Sequence, residues 1–433
     1  MARESIDTEI AGDPVGHPSF RDALRFWWKL GWISFGGPSG QIAIMHSELV
    51  ERRRWISNER FLHALNFCML LPGPEAQQLA TYCGWLLHGN RGGIAAGVLF
   101  VLPAAFLLWV LSYVYMAYGE VKIVAAAFDG LKPAVLAIVL AALWKIGCKA
   151  LKNRARWALA FSAFVGIYFL GVPFPLIVLG AACAGFAGGV WRPDWFVTEG
   201  VGAEGMDRGT PGGWGRTGRI LILGGMLWSL PVLLLGGCLG FDHVLFREGV
   251  FFSKTAVVTF GGAYAVLPYV GQQAVEHHGW LQAGQMMDGL GLAETTPGPL
   301  VMVLQFVGFV GAWQHPGSFP PLLAGTLGAL ITSWVTFVPC FIWILAGAPF
   351  VERLRGNRRL SAAMNAVTAA VVGVILNLAV WFGLHALLPA SGGVNWAGLC
   401  LVIVVLTGLI RWKWEVVPVV FGAAAFGVGR SFF

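Results

Sequence analysis

The sequence has little charge for its length. Only 12% of its 433 residues are Asp, Glu, Lys or Arg, whereas 57% are hydrophobic and the mean hydropathy is +0.70. A soluble domain carries about twice that fraction of charged residues. The composition therefore excludes an ordinary soluble protein and predicts an all-α polytopic membrane protein, embedded in a lipid bilayer.

Motifs of catalysis and cofactor binding are also missing. No Walker A sequence, HExxH helix or nucleophile elbow occurs, so we expect no enzyme activity, no cofactor and no ATP-driven pumping by this chain alone.

The seven cysteines are scattered without a CxxC pair, and we interpret them as packing residues rather than metal ligands or disulfides. The net charge of +7 lies mainly in short loops beside apolar segments, so we expect no nucleic-acid binding. The first twenty residues are polar and do not resemble a cleavable signal.

Long apolar stretches make up most of the sequence. Nine are long enough to cross a bilayer. They lie at 94–118, 123–144, 157–172, 173–191, 219–241, 320–347, 361–388, 395–410 and 414–430. The domain organisation that we predict is a polar tail at 1–19, a first half at 20–191, a cytoplasmic linker at 192–218, a connecting transmembrane helix at 219–241 and a second half at 242–433.

Two motifs recur along the chain at the same offset. The sequence FWWKLGWISFGG ends at Gly37, and FFSKTAVVTFGG ends 225 residues later at Gly262. LPGPEA begins at Leu71, and TPGPLV begins 225 residues later at Thr296. An internal repeat in a membrane protein indicates a transporter built from two related halves.

Each Pro-Gly-Pro sequence interrupts a further apolar stretch, at 61–87 and 285–312. Two prolines around a glycine remove backbone donors and disfavour helix in the preceding residues. The helical pieces on either side of the first break are each about 16–20 Å long, roughly half a bilayer. Each stretch is therefore either one kinked span or a re-entrant hairpin of two half-helices.

Basic residues in the loops favour re-entrant hairpins and an inverted repeat. The segments 52–54, 145–156, 353–359 and 411–413 are basic and are all expected in the cytoplasm. All four satisfy this rule if 61–87 enters and leaves on one side and the second half is upside down. The alternative is two parallel halves with kinked spans.

The broken segments supply most of the candidate substrate-binding residues. Backbone N–H groups at a half-helix start or a glycine-rich break can hold an anion. Asn66 is a further candidate, with hydrogen bonding between helices as the alternative. The other candidates of this kind are Gly36, Gly37, Ser39, Gln41, Pro72, Gly73, Pro74, Gln77, Gln78, Gly261, Gly262, Thr295, Thr296 and Gly298.

Charged residues near these breaks have two interpretations each. Glu75 and Glu294 are candidate coupling groups because an intramembrane carboxylate is costly, although Glu75 could simply complement a helix dipole. Lys29 and Lys254, a repeat pair, could contact an oxyanion or reach to lipid headgroups. Arg52, Arg53 and Arg54 could anchor the topology or collect anions at the inner mouth.

These paired signatures resemble the chromate ion transporter family of bacteria. The resemblance rests on FGGPSGQIAIMHSELVERRRW and the following residues to LPGPEAQQ in the first half, and on FGGAYAVLPYV and ETTPGPLV in the second. It implies a two-domain, multi-pass protein of the bacterial inner membrane that exports chromate and gives chromate resistance, with antiparallel halves and the FGG and PGP motifs in the transport pathway.

The second half departs from the first at two places. Ala263–Val266 replaces PSGQ, and Leu300–Val303 replaces EAQQ. We therefore expect most polar substrate contacts in the first half.

Several alternatives stay open at this point. Export of a dianion could be driven by the membrane potential, at about twice 2.3 kcal/mol per 100 mV, or by proton antiport. A carrier for sulfate or another oxyanion and a channel are rival functions, as is a membrane reductase, which would need cofactor ligands that we do not find. The oligomeric state is undetermined, with a homodimer as one alternative.

Overall fold

The structure, a computed structural model, describes residues 18–35, 37–196, 214–260, 262–348, 358–388 and 393–432. Within these ranges the chain is helical and contains no strand, which confirms the predicted all-α fold. Gly36 and Gly261, and most of the predicted tail, linker and 353–359 loop, lie outside the described residues.

The helices of the first half begin directly after Ser19, whose side chain caps the first of them. A π-helix, Ser47–Arg52, continues α2. The helices are α1 (Phe20–Ile33), α2 (Gly37–His46), α3 (Asn58–Cys68), α4 (Glu75–Tyr118), α5 (Lys122–Ala150), α6 (Arg154–Tyr168), α7 (Phe174–Trp191) and the short α8 (Pro193–Phe196).

The second half repeats this order after the connecting helix α9 (Trp214–Leu239). Again a π-helix, Gln273–His277, continues the second helix, and a 3-10 turn, Leu300–Met302, precedes α13. The helices are α10 (Val244–Val258), α11 (Ala263–Gln272), α12 (Ala283–Thr295), α13 (Val303–Gln314), α14 (Pro321–Gly347), α15 (Arg358–Leu387), α16 (Trp396–Arg411) and α17 (Val416–Arg430).

Nine of these helices cover the nine predicted spans. Six described segments are long and apolar enough to cross a membrane, and they lie in α4, α5, α7, α9, α14 and α15. The other three, α6, α16 and α17, have only 15 or 16 residues and pack on α5 or α15. The protein is therefore a polytopic membrane protein.

Helix α4 is two helices joined by a sharp turn. His88 and Gly89 have non-helical backbone angles, with φ of −140° and 59°. A Cβ on Gly84, before the turn, would lie 2.4 Å from the carbonyl oxygen of Gly92, after it. The segments 75–87 and 90–118, which we call α4a and α4b, therefore run antiparallel. In the second half, α13 and α14 repeat this hairpin.

The PGP segments are tips of re-entrant hairpins, which decides between the two sequence-based alternatives. In the second half, a Cβ on Gly289 of α12 would clash with the ring of Phe306 in α13, and Gln314 donates to Gln285 Oε1 at 3.1 Å. In both pairs the two residues are nearly the same number of positions before and after Gly298, so α12 and α13 run antiparallel. Phe67 and Tyr82 make the corresponding contact between α3 and α4a.

The two halves run in opposite directions. Helices α5 and α15 are equivalent and begin 236 residues apart, at Lys122 and Arg358. Gly147 of α5 lies beside Val372 of α15, whose equivalent in α5 is Leu136. Leu136 and Gly147 are eleven residues, or about 16 Å, apart in the same helix. If α5 and α15 ran parallel, equivalent residues of the two helices would lie at the same depth in the membrane. The offset of about 16 Å therefore means that the two helices run antiparallel and that the repeat is inverted.

The order of hairpins and membrane-crossing helices places the basic loops on one side of the protein. We call the side that carries Pro18, Trp55, His88 and Asn153 the basic face, and the other side the opposite face. Phe20 packs on His88, and Phe26 packs on Trp55, so the hairpins of the first half begin and end on the basic face. Chain order brings the residues near 411–413 to this face as well.

Each half contributes helices that pack on the other half. Helices α16 and α17 pack on α5, and α6 and α7 pack on α15. The close approaches are equivalent, because Gly427 lies against Gly130 and Gly185 lies against Ala366. Small residues allow this approach, which supplies packing in the absence of a hydrophobic driving force in lipid.

Gly427→Leu should therefore destabilise the protein, since a Cβ there would lie 2.1 Å from the carbonyl oxygen of Ala126. Overpacking costs about 1–3 kcal/mol, which corresponds to a melting temperature lower by roughly 5 °C in detergent. Gly422→Leu, on the same helix with open space around it, is the matched control. Equal melting temperatures for the two variants would contradict this packing.

Candidate substrate site at the helix tips

Two equivalent backbone hydrogen bonds join the halves at their helix breaks. The Gly73 N–H donates to the Thr259 carbonyl oxygen at 2.8 Å, and the Gly298 N–H donates to the Ser34 carbonyl oxygen at 2.8 Å. Gly73 and Gly298 are repeat equivalents, and so are Ser34 and Thr259. Each PGP tip (72–74 and 297–299) thus bonds to the residue that directly precedes the FGG turn (35–37 and 260–262) of the other half.

The tips lie near the middle of the membrane. A Cβ on Gly298 would lie 2.5 Å from Cβ of Ala104, which is fourteen residues from both ends of α4b, residues 90 and 118. A Cβ on Gly73 would lie 2.7 Å from Sγ of Cys340 in α14. Helices of opposite halves therefore enclose each tip. Irregular backbone is tolerated at this depth only when it is buried in protein or lines a cavity.

Glycine is required at both tips. Gly73 has a φ of 123° and Gly298 a φ of 105°, a region that other residues rarely adopt. The flanking prolines fix φ and provide no N–H, so the glycine N–H is the donor that must find an acceptor at the tip.

Three glutamines of the first half organise the tips rather than point free donors at a ligand. Gln41 donates to the carbonyls of Gly298, at 2.5 Å, and Ser34, at 3.3 Å. Gln78 donates to the Pro72 carbonyl at 2.7 Å, and Gln77 donates to a hydroxyl one turn along α4a. In the described part of the chain, the Oε1 atoms of all three are buried without a donor. The amide donors are thus occupied in this conformation.

Two carboxyl groups flank the second FGG turn. Both carboxylate oxygens of Glu75 lie 3.7 Å from the position of a Cβ on Gly262, whose φ is 90°. Glu294 accepts a hydrogen bond from the Tyr264 hydroxyl, two residues after Gly262. The structure therefore brings both candidate coupling residues to one turn, from opposite halves.

Several other candidates lie at the tips but bond to backbone. The hydroxyl of Thr295 donates to the Leu292 carbonyl, and that of Thr296 donates to the Ala293 carbonyl. Ser39 is exposed near the first FGG turn and accepts from Lys145 Nζ at 3.1 Å. Gly37, at the start of α2, has positive φ and open space around it.

The two predicted lysines are exposed at the surface. Lys254 is exposed on α10, and Asn66 is exposed on α3. Lys29 lines a cleft of about 400 Å³ on the basic face with Arg25 and Arg53. Lys29 therefore lies in a surface cleft on the basic face.

The three consecutive arginines have different surroundings. Arg52 and Arg53 both bond to Glu48, at 2.7 and 3.3 Å. The Arg53 guanidinium also lies over the rings of Phe26 and Trp55, at 5.0 and 4.9 Å from their centroids. Arg54 is exposed with a φ of 51°. Arg53 therefore holds the basic-face loop against α1, in addition to any role with anions.

Sequence reasoning missed two polar groups. The first is Tyr264, which lies in the segment that replaces PSGQ and is the repeat partner of the candidate Ser39. The second is a cluster near the opposite face, in which Tyr115 donates to Asp288 at 2.9 Å and Lys132 pairs with Asp129 at 2.7 Å. Because these residues come from three separate helices of both halves, no local motif could have indicated the cluster.

Inverted halves, re-entrant hairpins and helices that are broken near mid-membrane are the architecture of a membrane transporter. The model of the chromate transporter family matches residues 21–186 and 247–428, one region in each half. These two regions cover most of the chain, which belongs to the chromate transporter family.

Relatives of similar length carry related names. A chromate transport protein of Pseudomonas aeruginosa is 32% identical over 85% of this chain and 81% of its own length. A chromate transport protein of Cupriavidus metallidurans is 28% identical over 85% of this chain and 84% of its own length. A probable chromate transport protein of Synechococcus elongatus is 27% identical over 86% of this chain and 87% of its own length. No solved structure gives a significant match.

Gly73→Ala should reduce transport about tenfold or more, because the new Cβ would be strained and would meet Cys340 and Gln78. Gly89→Ala is the matched control, since Gly89 also has positive φ but open space around it. Chromate flux into everted vesicles, normalised to the amount of each variant in the membrane, is the readout. An equal loss of flux in both variants would attribute the effect to backbone strain alone.

Proposed function

We propose that the protein exports chromate across the bacterial inner membrane as a secondary transporter and so gives chromate resistance. The observation that supports this best is the pair of reciprocal hydrogen bonds between the PGP tips and the FGG turns. They close the centre of the membrane with groups that can also bind an oxyanion, and the family membership supplies the substrate.

In this proposal the two tip contacts are alternative gates. When a PGP tip separates from the opposite FGG turn, the glycine N–H loses its carbonyl acceptor, and an oxygen of chromate replaces it. Backbone N–H groups at a half-helix start favour an anion through hydrogen bonding and the helix dipole. An inverted repeat supplies two equivalent gates, one toward each face, as alternating access requires.

Glu75 acts as an internal competitor for the anion in this account. Its carboxylate lies against Gly262 at the N-terminus of α4a, where an anionic group is stabilised by the helix dipole. A dianion and an ionised carboxylate repel each other in a low-dielectric site. Chromate therefore enters when Glu75 is protonated or moves away, which links substrate binding to protons.

The direction of transport follows from charge. Arg52–Arg54, Lys149, Lys152, Arg411 and Lys413 all lie at the basic face, which we place in the cytoplasm. An inside-negative potential then favours exit of a dianion by about twice 2.3 kcal/mol per 100 mV. The cleft at the same face is lined by three cationic side chains, Arg25, Lys29 and Arg53, and by one carboxylate, Asp22, and its excess of positive charge collects chromate electrostatically.

Sulfate is the rival substrate because it is also a tetrahedral dianion. Everted vesicles that contain the protein should accumulate chromate, and added sulfate measures the preference of the site. Weak competition by sulfate supports a chromate carrier. Complete competition at equal concentration, or sulfate flux faster than chromate flux, would instead support a general oxyanion carrier.

Glu75→Gln should bind chromate about tenfold more tightly and transport it more slowly. The neutral amide neither repels the dianion nor exchanges a proton, so the substrate stays bound. Equilibrium dialysis of purified protein with chromate measures binding, and vesicle flux measures turnover. Glu59→Gln, an exposed change on α3, is the control, and unchanged affinity in Glu75→Gln would contradict competition.

The double variant Arg25→Gln/Lys29→Gln should raise KM for chromate several-fold at low salt and leave kcat within about twofold. Electrostatic collection raises the local anion concentration and is screened by salt, so the difference should vanish at about 0.5 M salt. Lys149→Gln/Lys152→Gln removes the same charge from the same face away from the cleft. An equal change in both double variants would mean that the cleft has no special role.

A further inference from the structure

Glu248 is a fully buried carboxyl group outside the tips. It lies in α10, one turn after the helix begins at Val244, and has 0% exposure. Within the part of the chain that the structure describes, neither carboxyl oxygen has a hydrogen-bond partner. An unpaired ionised carboxylate is very unfavourable in such surroundings, so the group holds a proton in this conformation.

Gly311 and Gly328 have no side chain and so leave room for the Glu248 carboxyl group. One carboxyl oxygen lies 2.6 Å from the position of a Cβ on Gly311, and the other lies 3.0 Å from that on Gly328. Any larger residue at either position would overlap the carboxyl group. The side chain therefore lies in the seam where α13 and α14 pack against each other.

The first half shows that a carboxyl group is not needed for this packing. The repeat equivalents of Glu248 and Gly311 are Ala23 and Leu86. At these two positions the first half has a small residue on the first helix and a large one on the hairpin, and in the second half the sizes are exchanged. The exchange replaces hydrocarbon by a titratable group, a costly change for a purely structural contact.

Several polar and titratable groups of the described chain lie on the helices around Glu248. Arg247, adjacent on α10, pairs with exposed Asp242, and α14 contributes the buried Thr332 hydroxyl. His315 is exposed at the opposite face, and its Nδ1 lies 3.1 Å from the Gly311 carbonyl oxygen. His278 stacks on Trp280, which also packs against Gly311.

Glu248 is also placed between the opposite face and the tips. It precedes Thr259, the acceptor for Gly73, by eleven residues of nearly continuous helix, about 16 Å. On the other side, Gly311 contacts both Glu248 and, through its carbonyl oxygen, the exposed His315.

From the buried carboxyl, the glycine seam and the exchanged sizes, we propose that Glu248 is a proton-binding site that couples transport to the proton gradient. Protons reach it from the opposite face past His315 and His278. The carboxyl group releases its proton when α10 moves relative to the α13–α14 hairpin as the Gly73–Thr259 gate opens. The inference rests on the proposed transport function.

The test compares two variants in proteoliposomes of the full-length protein. Glu248→Gln keeps the shape without the titration, and Glu248→Ala/Gly311→Leu installs the packing pair of the first half. In both variants we expect the change in chromate flux that a pH gradient produces at zero voltage to be at least tenfold smaller than in wild type. Voltage-driven flux should stay within twofold of wild type. Glu276→Gln, an exposed carboxylate near the same face, should behave as wild type.

The outcomes separate the inference from the proposed function. A pH response that persists in either variant overturns the role of Glu248, and so does a wild-type flux that ignores the pH gradient. A wild-type protein that moves no chromate refutes the proposed function instead.

An infrared measurement does not depend on transport. The band of a protonated carboxylic acid should be weaker by one group in Glu248→Gln than in wild type, whereas Glu276→Gln should leave it unchanged. An unchanged band in Glu248→Gln overturns the proposal even if both variants are inactive.

Discussion

The fold depends on the need to pair backbone groups where helices are broken inside the membrane. Each PGP tip leaves one glycine N–H at mid-depth, and each of α1 and α10 ends with a carbonyl that has no helical partner. Water cannot satisfy these groups in a closed, buried centre. The Gly73–Thr259 and Gly298–Ser34 hydrogen bonds pair them across the halves. Because the two halves are equivalent, each half supplies one N–H donor and one carbonyl acceptor to the other.

The repeat and the positions of the nine apolar helices could be predicted because they depend on local pattern. The offset of 225 locates the equivalent breaks, and hydropathy locates the long helices. The choice between a kinked span and a re-entrant hairpin needed contacts such as Gly289 with Phe306, which are set by packing and leave no periodic signal. Loop charge favoured the correct arrangement because orientation in the membrane depends on those charges.

The site itself was predictable only in part. Comparison of the halves shows which positions are equivalent, but not which groups meet across the interface. The partner of Gly73, the Tyr264–Glu294 bond and the position of Lys29 in the surface cleft all depend on tertiary packing. We expected the first half to supply most polar contacts. Its glutamines do organise the tips, yet Tyr264 and Glu294 place second-half polar groups at the same turn.

The position of bound chromate tests the account most directly. Crystals grown with chromate, measured near the chromium absorption edge, would locate the metal by its anomalous scattering. The account predicts one strong chromium peak between the two PGP tips, within hydrogen-bonding distance of the Gly73 or Gly298 nitrogen. Chromium found only in the cleft at Arg25, or at no ordered position while transport is intact, would contradict it.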